Sequence, residues 1–416
     1  MSNAVRILAG LAAGLLLGTL GVWAGVPLDP ALGVAGVVGG LWLDALRMTV
    51  VPLVFALVVT GIAAAAATAS ASAVTRRALI LFVSLLLVSA VTGALLGSVL
   101  LGAWSPPADA LLALRGGLGV SEFPSIPPVA EWLRSLVPTN VVSAAAEGAI
   151  VPLTLFALLF GLAAAQLPSE RSAPLLGFFR SIADTMLQIV GWVLVLAPLG
   201  VFALAFGVGA KLGLGAGAAL AHYVGVQILV TAALGLAMYP LAVFAGGLKP
   251  GAFARATLPA QAVAASTQSS LASLPPMLAG AGRLGLAADS SAVVLPLAVA
   301  LFRLAAPASI VIVTLALAKM SGVPVGPAQI AIAVLLASVN TLVIAGLPNQ
   351  VTFFAAYAPP AIAAGVPIEL LPLLLAVDTI PDIFYTVTNV TADVAVTSIV
   401  SKDRLEEGVD RAARTE

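Results

Sequence analysis

The stretch AVDTIPDIFYTVTNVTADVAVTSIVSK, residues 376–402, is apolar enough to sit in a bilayer, yet it carries three carboxylates. Asp378, Asp382 and Asp393 are joined there by Asn389 and interleaved with Thr379, Thr386, Thr388, Thr391 and Thr397. On insertion scales an acid at the centre of a membrane helix costs roughly 2.5–3.5 kcal/mol. Such an acid is kept where it faces a polar cavity or a partner. Asp378, Asp382, Asn389 and Asp393 are 4, 7 and 4 residues apart, which sets all four on one helical face. That face reads as the lining of a binding site. The other reading is a set of hydrogen bonds between packed helices, but three acids on one stripe exceed what packing needs.

The rest of the chain supplies the membrane. Of its 416 residues 61% are hydrophobic and only 9% charged, against about 25% charged in a soluble domain. Mean hydropathy is +1.15. The apolar runs are long and rich in Ala, Leu and Gly, so the spans are helices and not strands. A net charge of zero argues against nucleic acid as a partner. The absence of Cys excludes disulfides and thiolate metal sites, and the single His222 cannot build a metal centre. The first apolar run, 5–26, lacks a small-residue cleavage signature and reads as a span.

Further spans are expected at about 38–67, 77–103, 140–166, 181–210 and 218–247. Residues 104–139 are Pro-rich and charged, and so lie outside the hydrocarbon. Past residue 250 the pattern turns irregular. ASTQSSLASLPP (265–276) and ASVNTLVIAGLPNQ (337–350) each interrupt an apolar segment, and each is followed by a more continuous span, about 287–320 and 368–401. Broken segments at matching places in two halves suggest an inverted repeat, with two re-entrant hairpins whose tips meet near the midplane. With the N-terminus inside, Arg6, Arg76, Arg77, Arg171, Arg180, Lys249, Arg255, Arg283, Lys402, Arg404, Arg411 and Arg414 fall on the cytoplasmic side, and Arg115, Arg134, Lys211 and Lys319 outside. The bias predicts two cytoplasmic termini and a multi-pass protein of an inner (plasma) membrane. Arg47 belongs to neither set and is expected to snorkel or to pair with Asp44. The Ala, Leu and Val bias, with few Lys, points to a bacterial source.

Several segments together resemble the glutamate-transporter homologues, the dicarboxylate/amino acid:cation symporters. LDALRMTVVPLVFALVVTGIA (43–63) is similar to the family's second span, VPTNVVSAAAEGAIVPLTLFALLFGLAAA (137–165) to its fourth, and APLGVFALA (197–205) to its fifth. STQSSLASLP (266–275) sits where the family has its serine-rich first hairpin tip, GLPNQ (346–350) at the second tip, and TNVTADVAVTSIVSK (388–402) matches the eighth span. Inverted repeats of this kind bring helix ends and unwound backbone together at a midplane site.

The resemblance implies an all-α polytopic fold of eight transmembrane helices plus two re-entrant hairpins, assembled as a homotrimer in lipid. Residues 1–75 (spans 1–2) and 140–212 (spans 4–5) would form a scaffold. Span 3 (76–103) and residues 213–402 would form a transport domain that slides like an elevator, with 104–139 as an extracytoplasmic loop and 403–416 as a cytoplasmic tail. The second hairpin, with Gly346, Pro348 and Asn349, would be the gate. Asp382 matches the acid that takes a substrate amino group, a charge-assisted contact. Asn389 matches the donor to the α-carboxylate, with Ser269, Ser270 and the tip amides completing the cradle and Thr386 beside them. Ser269 and Ser270 also read as caps of a turn, which does not exclude binding.

The departures from the family carry as much information. Where acidic-substrate members have an Arg in span 8, this chain has Tyr385, and a phenol makes no bidentate pair with a carboxylate. A substrate with a neutral or polar side chain follows, with Tyr385 beside it. The family's sodium motif in span 7, Asn-Met-Asp-Gly-Thr, reads here Phe302-Arg303-Leu304-Ala305-Ala306. In span 3, Leu85 and Val88 replace a Tyr and a Thr and leave Ser89. Sodium binding is thereby put in doubt, and no other cofactor is expected. Arg303 arrives where the ions left. It reads as a tethered cation that neutralises Asp378, Asp382 or Asp393, or as a structural side chain that snorkels. Low dielectric favours the neutral form of a carboxylate, so coupling would be to protons, with Asp378 the first candidate and Asp393 the second. The expected function is secondary transport of a small amino acid or related organic anion. The alternatives are an ordinary sodium-coupled symporter, or a degenerate relative acting as a sensor or anion channel. An enzyme is not expected, since no nucleophile–base pair or metal-ligand cluster stands out.

Overall fold

The computed structural model describes residues 3–69, 73–103, 137–212, 214–344 and 349–413, and those residues form helices and the links between them. In chain order the helices are α1 (Asn3–Trp23), α2 (Asp29–Ala69), α3 (Ala73–Gly102), α4 (Val141–Ala146), α5 (Ile150–Gln166), α6 (Ser169–Val195), α7 (Ala197–Leu212) and α8 (Leu214–Phe244). They continue as α9 (Pro250–Thr267), α10 (Leu274–Arg283), α11 (Ala288–Leu301), α12 (Ala305–Ser321), α13 (Pro327–Ile344), α14 (Asn349–Ala363) and α15 (Leu371–Ala413). Among the described residues seven helical segments are long and apolar enough to cross a membrane. Large apolar side chains such as Leu16, Val34, Val99, Trp192, Leu236 and Phe244 stay exposed, as lipid contact requires.

Three expected spans prove to be interrupted, and a proline explains each break. The segment at 140–166 divides into α4 and α5, with Gly148 in the left-handed region at φ 68° and Pro152 in the first turn of α5. The segment at 181–210 starts earlier, as α6, and breaks at Leu196 just before Pro198. The segment at 287–320 unwinds over Phe302–Leu304, and Pro307 follows in the first turn of α12. Proline cannot donate to the carbonyl four residues back, and its ring clashes there, but it fits the first turn of a new helix. In each case the chain therefore stops and restarts. Both hairpins form. α9 packs on α10 across a tip at Gln268–Ser273, and α13 packs on α14. The second tip, with Gly346 and Pro348, lies outside the described residues, as does the side chain of Asn349.

Packing sorts the helices into two groups. In one, α1 runs against α7, while α2 packs on α5, α6 and α7. The α1–α7 seam is a glycine seam. A Cβ on Gly10, Gly14 or Gly18 would lie 2.5, 2.5 or 2.3 Å from the carbonyl oxygens of Pro198, Phe202 and Phe206. Small residues four apart let two backbones touch, which is how membrane helices gain contact without a hydrophobic drive. Phe55, Phe156, Phe160 and Phe179 cluster between α2, α5 and α6, and the Trp42 indole donates to Val193 O at 3.0 Å.

The second group is built around α12, almost every residue of which is buried, wrapped by α3, α8, α13, α14 and α15. Here polar contacts recur. The Thr388 hydroxyl donates to Thr231 O at 3.0 Å, joining α15 to α8, and Gln261 Nε2 donates to Thr391 Oγ1 at 2.8 Å, joining α9 to α15. The groups meet where α2 touches α3, α13 and α14, and where α1 and α7 touch α15. Arg47 of α2 pairs there with Glu369, in the link ahead of α15, and lies 3.6 Å from Asp44. The expected Asp44 partner is thus the weaker of two, because Glu369 is brought in from a distant part of the chain.

Candidate functional site

Three pieces of backbone converge on a cavity of about 550 Å³. Asp382, Tyr385, Thr386 and Asn389 line it from α15; Ser269 and Ser270 come from the first hairpin tip; Arg303 comes from the unwound link between α11 and α12. All seven residues expected at the substrate therefore share one cavity. Leu271, Leu274, Pro296, Val299, Ala300 and Ala306 supply an apolar wall, and α14 adds Tyr357.

The local hydrogen bonds fix how these groups are presented. Asn389 Oδ1 accepts the backbone N–H of Ala305 at 2.9 Å, so its side chain caps the first turn of α12. The NH2 end is then the donor that Asn389 has left to offer. The Thr386 hydroxyl is turned back on its own helix, donating to Asp382 O at 2.9 Å. Ser269 Oγ accepts the Ala272 N–H at 3.2 Å, and Ser273 Oγ donates to Ser269 O at 3.0 Å. Ser269 is thus a turn cap as well as a wall residue. Gln268 holds the tip in a left-handed conformation, φ 53°, while its Nε2 donates to Thr379 O at 3.0 Å.

The link at 302–304 puts opposite neighbours on either side of Arg303. Phe302 and Leu304 are each 1% exposed, and Phe302 stacks on Phe82 with ring centroids 4.7 Å apart. Ser89 Oγ donates to Leu304 O, tying α3 to the link. Of the three span 3 positions considered, Val88 is exposed, Leu85 is half-buried against the core and Ser89 is fully buried. Arg303 alone of the three link residues faces the cavity, and its charge acts on Asp382, Tyr357 and Asp393.

The acid stripe is longer than the cavity. From Asp378 to Asp393 is fifteen residues, about 22 Å of helix at 1.5 Å each. Only its middle, Asp382 and Asn389, lines the cavity, which corrects the reading of the whole face as a lining. Asp393 is 0% exposed, and neither carboxylate oxygen has a hydrogen-bond partner among the described residues. Asp378, 3% exposed, faces hydroxyls. Tyr385 OH approaches its Oδ1 at 3.5 Å, and Ser309 Oγ donates to Tyr385 OH at 2.9 Å. The Tyr385 hydroxyl is thus engaged inside the protein, where the sequence alone sets it beside a substrate side chain. Tyr357 and Ser309 carry no signal in the sequence, each a lone polar residue in an apolar run, while Gln268 lies in the polar patch at 265–276 with no spacing that links it to α15.

Comparison with known proteins identifies the family. The model of the sodium:dicarboxylate symporter family matches residues 4–403. The chain is 28% identical over 374 residues to the Proton/glutamate-aspartate symporter of Escherichia coli (strain K12), covering 88% of this chain and 84% of that protein. It is 26% identical over 422 residues to the Proton/sodium-glutamate symport protein of Bacillus subtilis (strain 168), covering 99% and 94%. It is 24% identical over 410 residues to the C4-dicarboxylate transport protein of Rhizobium johnstonii, covering 98% and 90%. With a family match that runs from the first helix to the end of the membrane part of α15, the chain belongs to the sodium:dicarboxylate symporter family, and is a membrane transporter.

Proposed function

We propose that this symporter carries a small amino acid with a neutral or polar side chain, or a related organic anion, across a bacterial inner membrane, coupled to protons and independent of sodium. The observation that carries the reading is Arg303. In the 302–304 link its guanidinium shares the cavity with Asp382, while Phe302 and Leu304 are sealed in the core. A hard cation needs oxygen ligands, and those two side chains supply none. A fixed guanidinium supplies positive charge beside Asp382 and Asp393 without an exchangeable ion. Within the cavity, Asp382 takes the ammonium group, and Asn389, Ser270 and the tip backbone take the carboxylate. One relative is named a proton symporter and another a proton/sodium symporter, so the proton is the coupling ion that the two names share. The two packing groups support a scaffold (α1, α2, α4–α7) and a moving domain (α3, α8–α15); in this reading the scaffold holds a trimer, and the Arg and Lys bias supports two cytoplasmic termini.

The test is uptake into proteoliposomes. An inward proton gradient without sodium should drive accumulation of the substrate, and a sodium gradient at constant pH should not. Arg303→Met should lower proton-driven uptake at least tenfold and make the residual binding sodium-sensitive. Accumulation that follows sodium and ignores pH refutes the reading.

A second reading, sodium-coupled dicarboxylate symport, is favoured by one observation. The Asp393 carboxylate accepts no hydrogen bond from the described residues, so a cation has a ligand waiting there. The same sodium-gradient experiment decides for it.

A further inference from the structure

Four tyrosines occur in the whole chain, and three of them, Tyr223, Tyr357 and Tyr385, lie within electrostatic reach of Asp378. They come from α8, α14 and α15, so the gathering is made by the fold and not by local sequence. Ser309 of α12 stands at its centre. Its Oγ is 2.9 Å from Tyr357 OH and donates to Tyr385 OH, also at 2.9 Å. A serine hydroxyl has one proton. Since Ser309 gives that proton to Tyr385, it accepts from Tyr357. Tyr385 in turn points its O–H at Asp378 Oδ1, 3.5 Å away. The donors therefore all run one way, from Tyr357 through Ser309 and Tyr385 to Asp378. Tyr357 and Tyr385 line the substrate cavity; Ser309 and Asp378 do not, and are 0% and 3% exposed.

We propose that Asp378 is the group that binds and releases the coupling proton, and that Tyr357, Ser309 and Tyr385 form the hydroxyl relay joining it to the cavity. This rests on the proton-coupled reading above and names its site. In one passage a proton reaches the Tyr357 oxygen from the cavity. Tyr357 passes its own hydrogen to Ser309, Ser309 passes its hydrogen to Tyr385, and Tyr385 passes its hydrogen to Asp378. Each hydroxyl ends neutral, and the carboxylate ends as a carboxylic acid. The reverse sequence empties it. The last link is longer than an ordinary O–H···O bond, so it is open in this conformation and closes with a shift of under an ångström. Tyr223, whose hydroxyl accepts from Gln227 Nε2 at 3.1 Å, is the third phenol near Asp378 and stands off the direct line. Gln268 Nε2, bonded to Thr379 O one residue on, brings the hairpin tip to the same turn of α15. Arg303 acts on Asp382, Asp393 and Tyr357, so substrate charge and relay entrance share one cation.

The experiment compares two activities of the purified protein in proteoliposomes, substrate exchange at equal pH and accumulation driven by a proton gradient. Asp378→Asn imitates the protonated acid. Exchange should stay within about threefold of the parent, while proton-driven accumulation falls at least tenfold and the dependence of exchange on pH flattens. Ser309→Ala removes the central hydroxyl without altering charge. It should slow proton-driven uptake several-fold and spare exchange. Monodispersity by gel filtration is checked for both, and Ser309→Ala carries the test alone if Asp378→Asn misfolds. Proton-driven accumulation that survives in Asp378→Asn overturns the site, and an unaltered Ser309→Ala overturns the relay. A parent protein that follows sodium and ignores pH refutes proton coupling itself, before either variant is compared.

Discussion

The α1–α7 seam and the α15 face solve the same problem, holding helices together in lipid, in opposite ways. Among the described residues the seam shows one side-chain hydrogen bond across it, from Thr19 Oγ1 to Gly209 O at 3.2 Å. It relies on backbone approach at Gly10, Gly14 and Gly18. The α15 face buries Asp378 and Asp393, keeps Asp382 at a cavity, and is knit by Thr388, Thr391, Gln261 and Asn389. Close packing is insensitive to protons and ions. A buried polar face is not, because each unpaired group carries a desolvation penalty that a ligand or a counter-charge can relieve. The difference teaches where a ligand is expected to act on this molecule: on the second group, whose buried polar side chains line or adjoin the cavity, more than on the glycine seam.

Removing the counter-charge should give the largest effect. Arg303→Met leaves Asp382 and Asp393 without their cation and should destabilise the protein by about 3–5 kcal/mol. The readout is the thermal-unfolding midpoint in detergent. Adding Asp393→Asn to the same protein should recover a large part of the loss, and a double mutant no better than the single would break the charge-based account. Next comes the seam. A side chain at Gly14 meets Phe202 O and Ala205 Cβ. Gly14→Val should cost about 1–3 kcal/mol by overpacking, and the midpoint shift produced by saturating substrate should be unchanged. If that shift disappears, the two regions are coupled and the contrast fails. The smallest change is Thr388→Val, which deletes one interhelical hydrogen bond at about 0.6 kcal/mol, the average for such bonds in a membrane. A loss several times larger would mean that Thr388 belongs to a cooperative network.

Much of this is legible in the sequence, for physical reasons that differ by region. The stripe on α15 announces itself because carboxylates in an apolar run are costly, and Asp382, Asn389, Ser269, Ser270 and Arg303 do converge on one cavity. How far the stripe stays in the cavity is not legible, since spacing gives a face and not the length of the space opposite. The glycines of α1 are silent because Gly in an Ala/Leu run looks the same with or without a partner helix. The helix breaks are written in Pro152, Pro198 and Pro307, but proline is tolerated inside other helices of the same protein, Pro52 and Pro240 among them. Tyr357 and Ser309 gain meaning only from Asp378, which lies 21 and 69 positions away.

The bridge from Arg47 to Glu369 fastens α2 to the link preceding α15, across the boundary between the two helix groups. Any travel of one group past the other must part these charges or drag both along. Both side chains are partly open to solvent, so dissolved ions weaken their hold as the Debye length shrinks from about 10 Å at 0.1 M to 3 Å at 1 M salt. Raising the ionic strength is therefore expected to loosen this fastening, at residues that do not line the cavity.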